Sequence, residues 1–595
     1  MIILLNDSPT NFVEVYKNYV KQGVILVDRM VMQAIERDDR DLEKSKSDDY
    51  MFYFDNSYAN DAIDFIEHLK EPKSGQPIQL ALFQKFQIGL LFGWREKERP
   101  QRRRFQKGIF SLARKQGKTL LEAGVLLYQF MNEPGNFKQV ATAANSREQA
   151  MLLFRMVVSY CNGMAKDSKA MKKLLNIKRN EVEFGDGNRL FPLAADYGTL
   201  DGYDLSAFVV DEYGAAKDSR VYDVLETSQQ MQSNPLKVVI STCTDEFNGP
   251  FYNEYKYSQK LLDSNDSTEN DRQLVLWYQQ DNKYEVENFE KEKWIKSNPI
   301  LEFGIEELGY SKEQKEIAYR LMEKLENDYR EGVAKNRTYN LLTKAFNIWT
   351  RNEETTYIMP NQWEESEIGD DVSIIDGRDV YIGIDLSRLN DFTAVSFICP
   401  DYDHKRWLLY SHTFVGFETE TIEDKEESVK MPLKEWASKG YCSITTDETG
   451  IIKQADILDY INSFVAEHRL SVRYIQYDPY SFNTSYEMYK NQFGKSRLIS
   501  VSQSDAVLSE PTKDFQRKVI GKEIVHFPNP FLDIAVNNAI LKENVNKDTV
   551  KVDKSKNRDK IDNIIASIIA FVEPSKIDME TAINRNDDYY SEYTF

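Results

Sequence analysis

The stretch Ser111-Leu112-Ala113-Arg114-Lys115-Gln116-Gly117-Lys118-Thr119 decides how the chain is read. Ahead of it, Gly108-Ile109-Phe110-Ser111-Leu112 is an apolar run suited to a buried parallel strand, and Leu120 to Leu127 behind it is apolar enough for a core helix. Strand, tight loop and helix in that order make a phosphate cradle. The loop amides of Gln116 and Gly117 and the helix N-terminus present positive partial charge to a triphosphate such as ATP. Lys118 reaches the β- and γ-phosphates, and the Thr119 hydroxyl ligates magnesium. One position departs from the usual pattern, which has glycine five residues before Gly117 where this chain has Leu112. Gly-Lys-Thr alone also suits a basic turn before a core helix, so a second half of the site is needed.

Ala207-Phe208-Val209-Val210-Asp211-Glu212 supplies it: a short apolar run ending in two acids. In a parallel sheet, ligands bind where strand C-termini converge, so Asp211 is expected beside the loop as a magnesium ligand, and Glu212 as the residue that polarises the attacking water. A third run, Val238 to Thr244, ends in small hydroxyl residues suited to sensing the γ-phosphate. Gln139 to Asn145 reads as a further strand, and the alternation of strands with helices predicts a parallel α/β sheet. Upstream, the helix over Pro77–Trp94 carries Gln84, whose amide matches the donor–acceptor edge of adenine.

With 595 residues, the chain exceeds a single core, and roughly 150 residues per domain predicts two to four domains. Hydrophobic content of 41% with 12% aromatics indicates a folded chain without a membrane span. The expectation is a cytoplasmic protein. Cys161, Cys243, Cys399 and Cys442 lack metal-type spacing and read as reduced core residues, and the five histidines show no ligand pattern. A net charge of −20 excludes blanket attraction to nucleic acid, although basic clusters at Lys166–Arg179 and Lys551–Lys560 stand out locally. Arg102-Arg103-Arg104, just before the first strand, is expected to face phosphate or solvent.

Residues 1–74 read as amphipathic helices, residues 75–365 as the nucleotide-binding domain with a helical, charged connector from about Asp245 to Arg337, and residues 366–595 as a second domain. In that domain Asp379–Ser387 is a strand delivering Asp385, and Asp391–Phe397 pairs with it as a hairpin. Val472–Asp478 is a strand ending in aspartate, and Lys560-Ile561-Asp562 opens an apolar helix. Each aspartate alone is an ordinary cap or turn residue. Jointly, Asp385, Asp478 and Asp562 are hard oxygen ligands of the kind that hold magnesium or manganese for phosphodiester cleavage. Asp391 is a candidate fourth ligand, whereas Asp447 and Glu448 read as a surface turn.

With these motifs in order, the chain resembles the large terminase subunit of tailed bacteriophages over roughly residues 75–575. The resemblance lies in Leu82-Phe83-Gln84 ahead of Phe92-Gly93-Trp94, the variant loop Ala113–Thr119, Val209-Val210-Asp211-Glu212 and Phe346-Asn347-Ile348-Trp349. It continues through Gly383-Ile384-Asp385-Leu386-Ser387, Tyr477-Asp478-Pro479 and Lys560-Ile561-Asp562. Leu112 is normal for that family. The resemblance implies a P-loop NTPase domain followed by a ribonuclease H-like nuclease domain. It implies ATP and Mg2+ (or Mn2+ at the nuclease) held by Gln84, Arg114, Gln116, Gly117, Lys118, Thr119 and Asp211 at the first site and by Asp385, Asp478 and Asp562 at the second. The implied partners are double-stranded viral DNA, the portal protein of the procapsid, a small terminase subunit and further copies in a ring. Many relatives place an arginine just before the acidic strand to act on a neighbour's ATP; here that region reads Leu200-Asp201-Gly202-Tyr203-Asp204, and Arg147 and Arg189 both remain candidates. A helicase-nuclease of DNA repair and a nucleotide-gated DNA adaptor are the competing readings.

Overall fold

A computed structural model describes residues 10–193, 202–263, 270–335, 337–350, 356–386, 392–417, 421–429, 431–447, 449–482, 485–544, 549–554 and 560–579. The chain divides into two compact units between Thr350 and Arg351.

In the first unit, helices α1 (Phe12–Lys21), α2 (Arg29–Lys44), α3 (Asn56–His68) and α4 (Leu82–Gly93) join a two-stranded ribbon, β1 (Phe52–Phe54) with β2 (Trp94–Glu96). Their apolar faces share one core with the main sheet: Tyr16, Val31, Ile66 and Phe86 lie in the same buried cluster as Ile109, Val209 and Val239. The sheet comprises β3 (Lys107–Ser111), β4 (Gln139–Ala144), β5 (Leu175–Ile177), β6 (Val182–Phe184), β7 (Asn188–Leu193), β8 (Leu205–Asp211), β9 (Leu236–Ser241) and β10 (Gln273–Trp277), in the order β10-β3-β9-β8-β4-β7-β6-β5. The six strands from β10 to β7 are parallel, and β6 and β5 extend them antiparallel. Continuous apolar runs are what such strands require, because helices cover both faces.

The sheet corrects two expectations. The connector after Asp245 is not wholly helical, since β10 lies inside it, fully buried and paired with β3. Four apolar residues, Leu274 to Trp277, set among polar and charged ones are too few to reveal their period. Arg103 and Arg104 face neither phosphate nor solvent. Arg103 bonds Glu133 Oε1 at 2.6 Å and Gln129 Oε1 at 2.8 Å, while Arg104 reaches Asp41 of α2 at 2.6 Å and Asp271 at 3.0 Å beneath the Trp94 ring. Multiply hydrogen-bonded guanidinium groups tolerate burial where a lone charge would not.

The second unit is built on β11 (Asp379–Asp385), β12 (Thr393–Asp401), β13 (Arg406–Val415), β14 (Cys442–Ile444), β15 (Ser471–Tyr477), β16 (Leu498–Ser500) and β17 (Ile524–His526), in the order β14-β13-β12-β11-β15-β16 with β17 also on β13. β11, β12 and β13 form an antiparallel meander, and β15 and β16 add parallel to it. A separate hairpin joins β18 (Ala539–Asn544) to β19 (Thr549–Lys554). The helix α5 (Asp562–Phe571) lies on β11 and β12. It sits so close that a Cβ on Gly383 would fall 2.2 Å from Ala566 O. Only glycine permits that approach.

All four cysteines are buried and unpaired. No described helix is long and apolar enough to cross a membrane.

Candidate active sites

In the first unit the phosphate loop leaves β3 and enters the helix Lys118–Asn132, with Gly117 in the left-handed region (φ 76°) as its N-cap. A Cβ there would lie 2.8 Å from Gln84 Nε2, so the loop and α4 are in close approach. Gln84 Oε1 accepts from Ala81 N at 3.0 Å, and its Nε2 lies 3.5 Å from Gln116 O. Gln116 is buried and fully engaged: Nε2 donates to Asn298 Oδ1 at 2.8 Å, and Oε1 accepts from Ile300 N at 3.0 Å. Its side chain therefore braces the loop. Arg114 is exposed, its amide held by Lys344 O at 2.9 Å, and Lys118 Nζ lies 3.4 Å from Leu112 O.

Asp211 ends β8, with Ala144 of β4 and Ile240 of β9 beside it in register. Its Oδ1 accepts from Glu212 N at 2.7 Å. Burial, and then the neighbouring Glu212, raise the Asp211 carboxyl above its ordinary range. Glu212 itself stands at φ 54°, ψ 35°, a conformation costing a non-glycine residue roughly 1–2 kcal/mol. Strain of this kind persists where the surroundings hold it. Here Asn145 Nδ2 donates to Glu212 O at 2.7 Å, and the next turn is fastened to β9 by Gly214 N to Ser241 Oγ at 2.8 Å and Thr244 Oγ1 to Gly214 O at 2.9 Å. The hydroxyl residues ending β9 are thus tied directly to the acidic turn.

Three residues to which sequence reasoning gave no role complete the setting. Asn347 Nδ2 donates to Tyr278 O (2.6 Å) and Ser111 Oγ (2.9 Å), and its Oδ1 accepts from Cys243 N (2.7 Å), which joins the ends of β10, β3 and β9. Lys344 Nζ donates to Thr242 Oγ1 at 3.2 Å and Cys243 O at 3.1 Å, within electrostatic reach of Glu212, Arg114 and Lys118. Burial lowers its ammonium below the usual range. Glu122, one turn into the helix after the loop, is fully buried. The motif Phe346-Asn347-Ile348-Trp349 was the one signal that flagged any of these positions.

In the second unit, Asp385 ends β11 and Asp478 follows β15, adjacent parallel strands whose register sets Ile384 opposite Tyr477. Asp562 begins α5. A polar seam seats that helix: Asn563 Nδ2 donates to Ser411 Oγ and Thr413 Oγ1, both at 2.9 Å, and Gln476 Nε2 donates to Ala570 O at 2.6 Å near the other end. Burial first, and then Asp562, push the Asp385 carboxyl up to about 7; Asp478 adds to the rise, while Gln503, donating to Asp385 Oδ1 at 2.8 Å, and Lys554 oppose it. Asp385, Asp478 and Asp562 thus stand at adjoining element ends, and carboxylate oxygens are the ligands that hard divalent cations take. Asp391, Glu448, Leu200 and Asp201 lie outside the described residues. Asp447 holds a turn, accepting from Thr449 N at 2.9 Å and pairing with Lys453.

Of the two candidate arginines, Arg147 is exposed just beyond the C-terminal end of β4, the sheet edge that carries the loop and Asp211. Arg189, the second residue of β7, lies opposite Gln139 at the other end of the strands and is paired with Glu181.

A phosphate loop beside an acidic strand end in one unit, and aspartates at the ends of two adjacent strands and the start of a helix in the other, are features suited to an ATPase and a nuclease. The family model described as the terminase large subunit ATPase domain matches residues 82–260, and that of the terminase large subunit endonuclease domain matches residues 267–577. The chain belongs to the terminase large subunit family, the ATP-driven motors and endonucleases of viral DNA packaging. It is 25% identical over 514 residues to the terminase large subunit of Enterobacteria phage HK97, covering 83% of this chain and 90% of that one. To the terminase large subunit of Lactococcus phage SK1 it is 22% identical over 570 residues, covering 93% and 97%. The crystal structure of the HK97 bacteriophage large terminase aligns over 87% of this chain and 99% of its own, at 22% identity and a TM-score of 0.44.

Proposed function

We propose that this chain drives viral double-stranded DNA into a procapsid by hydrolysing ATP at the loop of the first unit, and cuts concatemeric DNA at the aspartates of the second when packaging starts and ends. Lys118, Arg114 and the Gln116 and Gly117 amides hold the phosphates. Thr119 and Asp211 hold magnesium, and Gln84 contacts the base by releasing its bonds to Ala81 and Gln116. Glu212 orients the attacking water and takes up its proton. Lys344 stands beside Glu212 and on the end of β9, so loss of the γ-phosphate changes its partners and is felt at Thr242 and Cys243. Asp385, Asp478 and Asp562 hold magnesium or manganese. Divalent cations, when bound, supply charge stabilisation to the phosphates at both sites.

The proposed partners are the portal protein of the procapsid, a small terminase subunit and further copies of the chain in a ring, acting in the cytoplasm of the infected cell. Arg147 is the favoured arginine for acting on a neighbour's ATP, since it is exposed at the sheet edge that carries the loop. The observation that carries the reading is the separation of two acid-lined sites onto two units with separate cores.

The test is plasmid cleavage with magnesium or manganese, run beside ATP hydrolysis. Asp478→Ala is expected to abolish cutting and leave hydrolysis intact, and Glu212→Ala to do the reverse. Hydrolysis without cutting under either metal would favour a DNA-binding adaptor with degenerate acids.

A further inference from the structure

The nucleotide site contains a buried acid that the proposed hydrolysis leaves without work. Glu122 lies three residues beyond Thr119 and four beyond Lys118, so the three share one face of the helix Lys118–Asn132. Helical side chains lean toward the N-terminus, which directs the Glu122 carboxylate back at the phosphate loop. It is fully buried, and among the described residues no donor reaches either of its oxygens. Its carboxyl lies within hydrogen-bonding reach of the Asp211 carboxyl, and Lys118 and Glu212 are its other charged neighbours.

A buried carboxylate without donors is costly, and the facing Asp211 carboxylate is an acceptor that cannot relieve it while both are ionised. Three acidic side chains surround one lysine, so the cluster is short of donors and of positive charge. A hydrated divalent cation answers both deficits, for magnesium keeps several of its waters when bound, and each water is a hydrogen-bond donor.

We propose that Glu122 is a magnesium-positioning residue of the nucleotide site, accepting hydrogen bonds from the water shell of the ion held by Thr119 and Asp211. Its role is that of outer support, orienting the ion without joining the reacting atoms. The inference rests on the assignment of Thr119 and Asp211 as the magnesium site.

The test is binding of a fluorescent, non-hydrolysable ATP analogue to the full chain as magnesium is titrated from an EDTA-buffered start. Glu122→Gln, which keeps the shape and removes the charge, is expected to raise the magnesium concentration at half-saturation at least tenfold. Its affinity for the analogue in EDTA should stay within twofold of the parent. Asp211→Asn serves as the reference. If the reference variant does not shift the magnesium requirement, the assignment of the site itself fails. If it shifts the requirement and Glu122→Gln does not, the role of Glu122 is overturned. An unchanged magnesium requirement together with greater heat stability in EDTA would mean that Glu122 and Asp211 share a proton instead, which also overturns it. Should Glu122→Gln fail to fold, Glu122→Asp decides: withdrawing the carboxylate by one methylene should raise the half-saturation point, and an unchanged value rejects the proposal.

Discussion

Glu302 accepts from Leu82 N at 2.5 Å, Phe83 N at 3.3 Å and the Tyr310 hydroxyl at 2.6 Å, and so caps the helix that carries Gln84. Burial outweighs these donors and pushes its carboxyl up to about 7. A carboxyl raised on folding contributes stability that is complete below its unfolded value of 4.5 and is lost as pH climbs through the folded value. Thermal denaturation of the metal-free chain should therefore show a melting temperature that falls between pH 4.5 and 7, with a shallower fall in Glu302→Gln; equal slopes would refute the assignment. Arg147 and Arg189 also separate at this scale. If Arg147 acts on a neighbour's ATP, Arg147→Ala should cut hydrolysis in the assembled motor by roughly 10³-fold, the worth of an arginine acting in trans. Arg189→Ala, at the far end of the strands, should leave the rate within twofold.

Among the elements, α5 shows how little freedom the nuclease site has. Gly383 lets the helix backbone rest on β11, and this contact brings the start of the helix, with Asp562, to the end of the strand that carries Asp385. Gly383→Ala forces helix and strand apart. Overpacking of this kind costs roughly 1–3 kcal/mol, so the variant should melt at lower temperature and lose plasmid cleavage while ATP hydrolysis persists. Asn347 plays the corresponding part in the first unit by joining three strand ends at the phosphate loop. Asn347→Ala leaves buried groups on all three strands unpaired, at roughly 1–3 kcal/mol each, and should depress both the melting temperature and ATP turnover.

For the whole molecule, the two units predict where the chain can be cut. Residues 1–350 should fold and hydrolyse ATP, and residues 351–595 should fold and nick DNA with a divalent metal, because each unit has its own buried core. Ending the ATPase piece at residue 266, where the two family matches part, should fail. That cut removes β10 from the edge of the sheet, together with Asn298, Lys344 and Asn347 from around the loop. Circular dichroism and ATP turnover of the two truncations would decide between these boundaries.

The loop Ala113–Thr119, the acids Asp211 and Glu212 and the strand-end aspartates were legible in the sequence because each is a local event: a short apolar run, a turn and a charged residue in a set order. Features that arise only from packing were not legible. The strand β10 hid among charges, since five residues do not establish a period. Arg103 and Arg104 read as a surface cluster because nothing in a one-dimensional pattern announces the acids, Asp41, Glu133 and Asp271, that neutralise them from distant segments. Glu122 lies within the apolar run Leu120 to Leu127, and only the fold shows that it is buried against Asp211. By itself, then, the sequence determined the family and its two chemistries. The tertiary structure alone decided which groups stand behind the site residues, because burial, charge compensation and strand order depend on contacts between positions far apart in the chain.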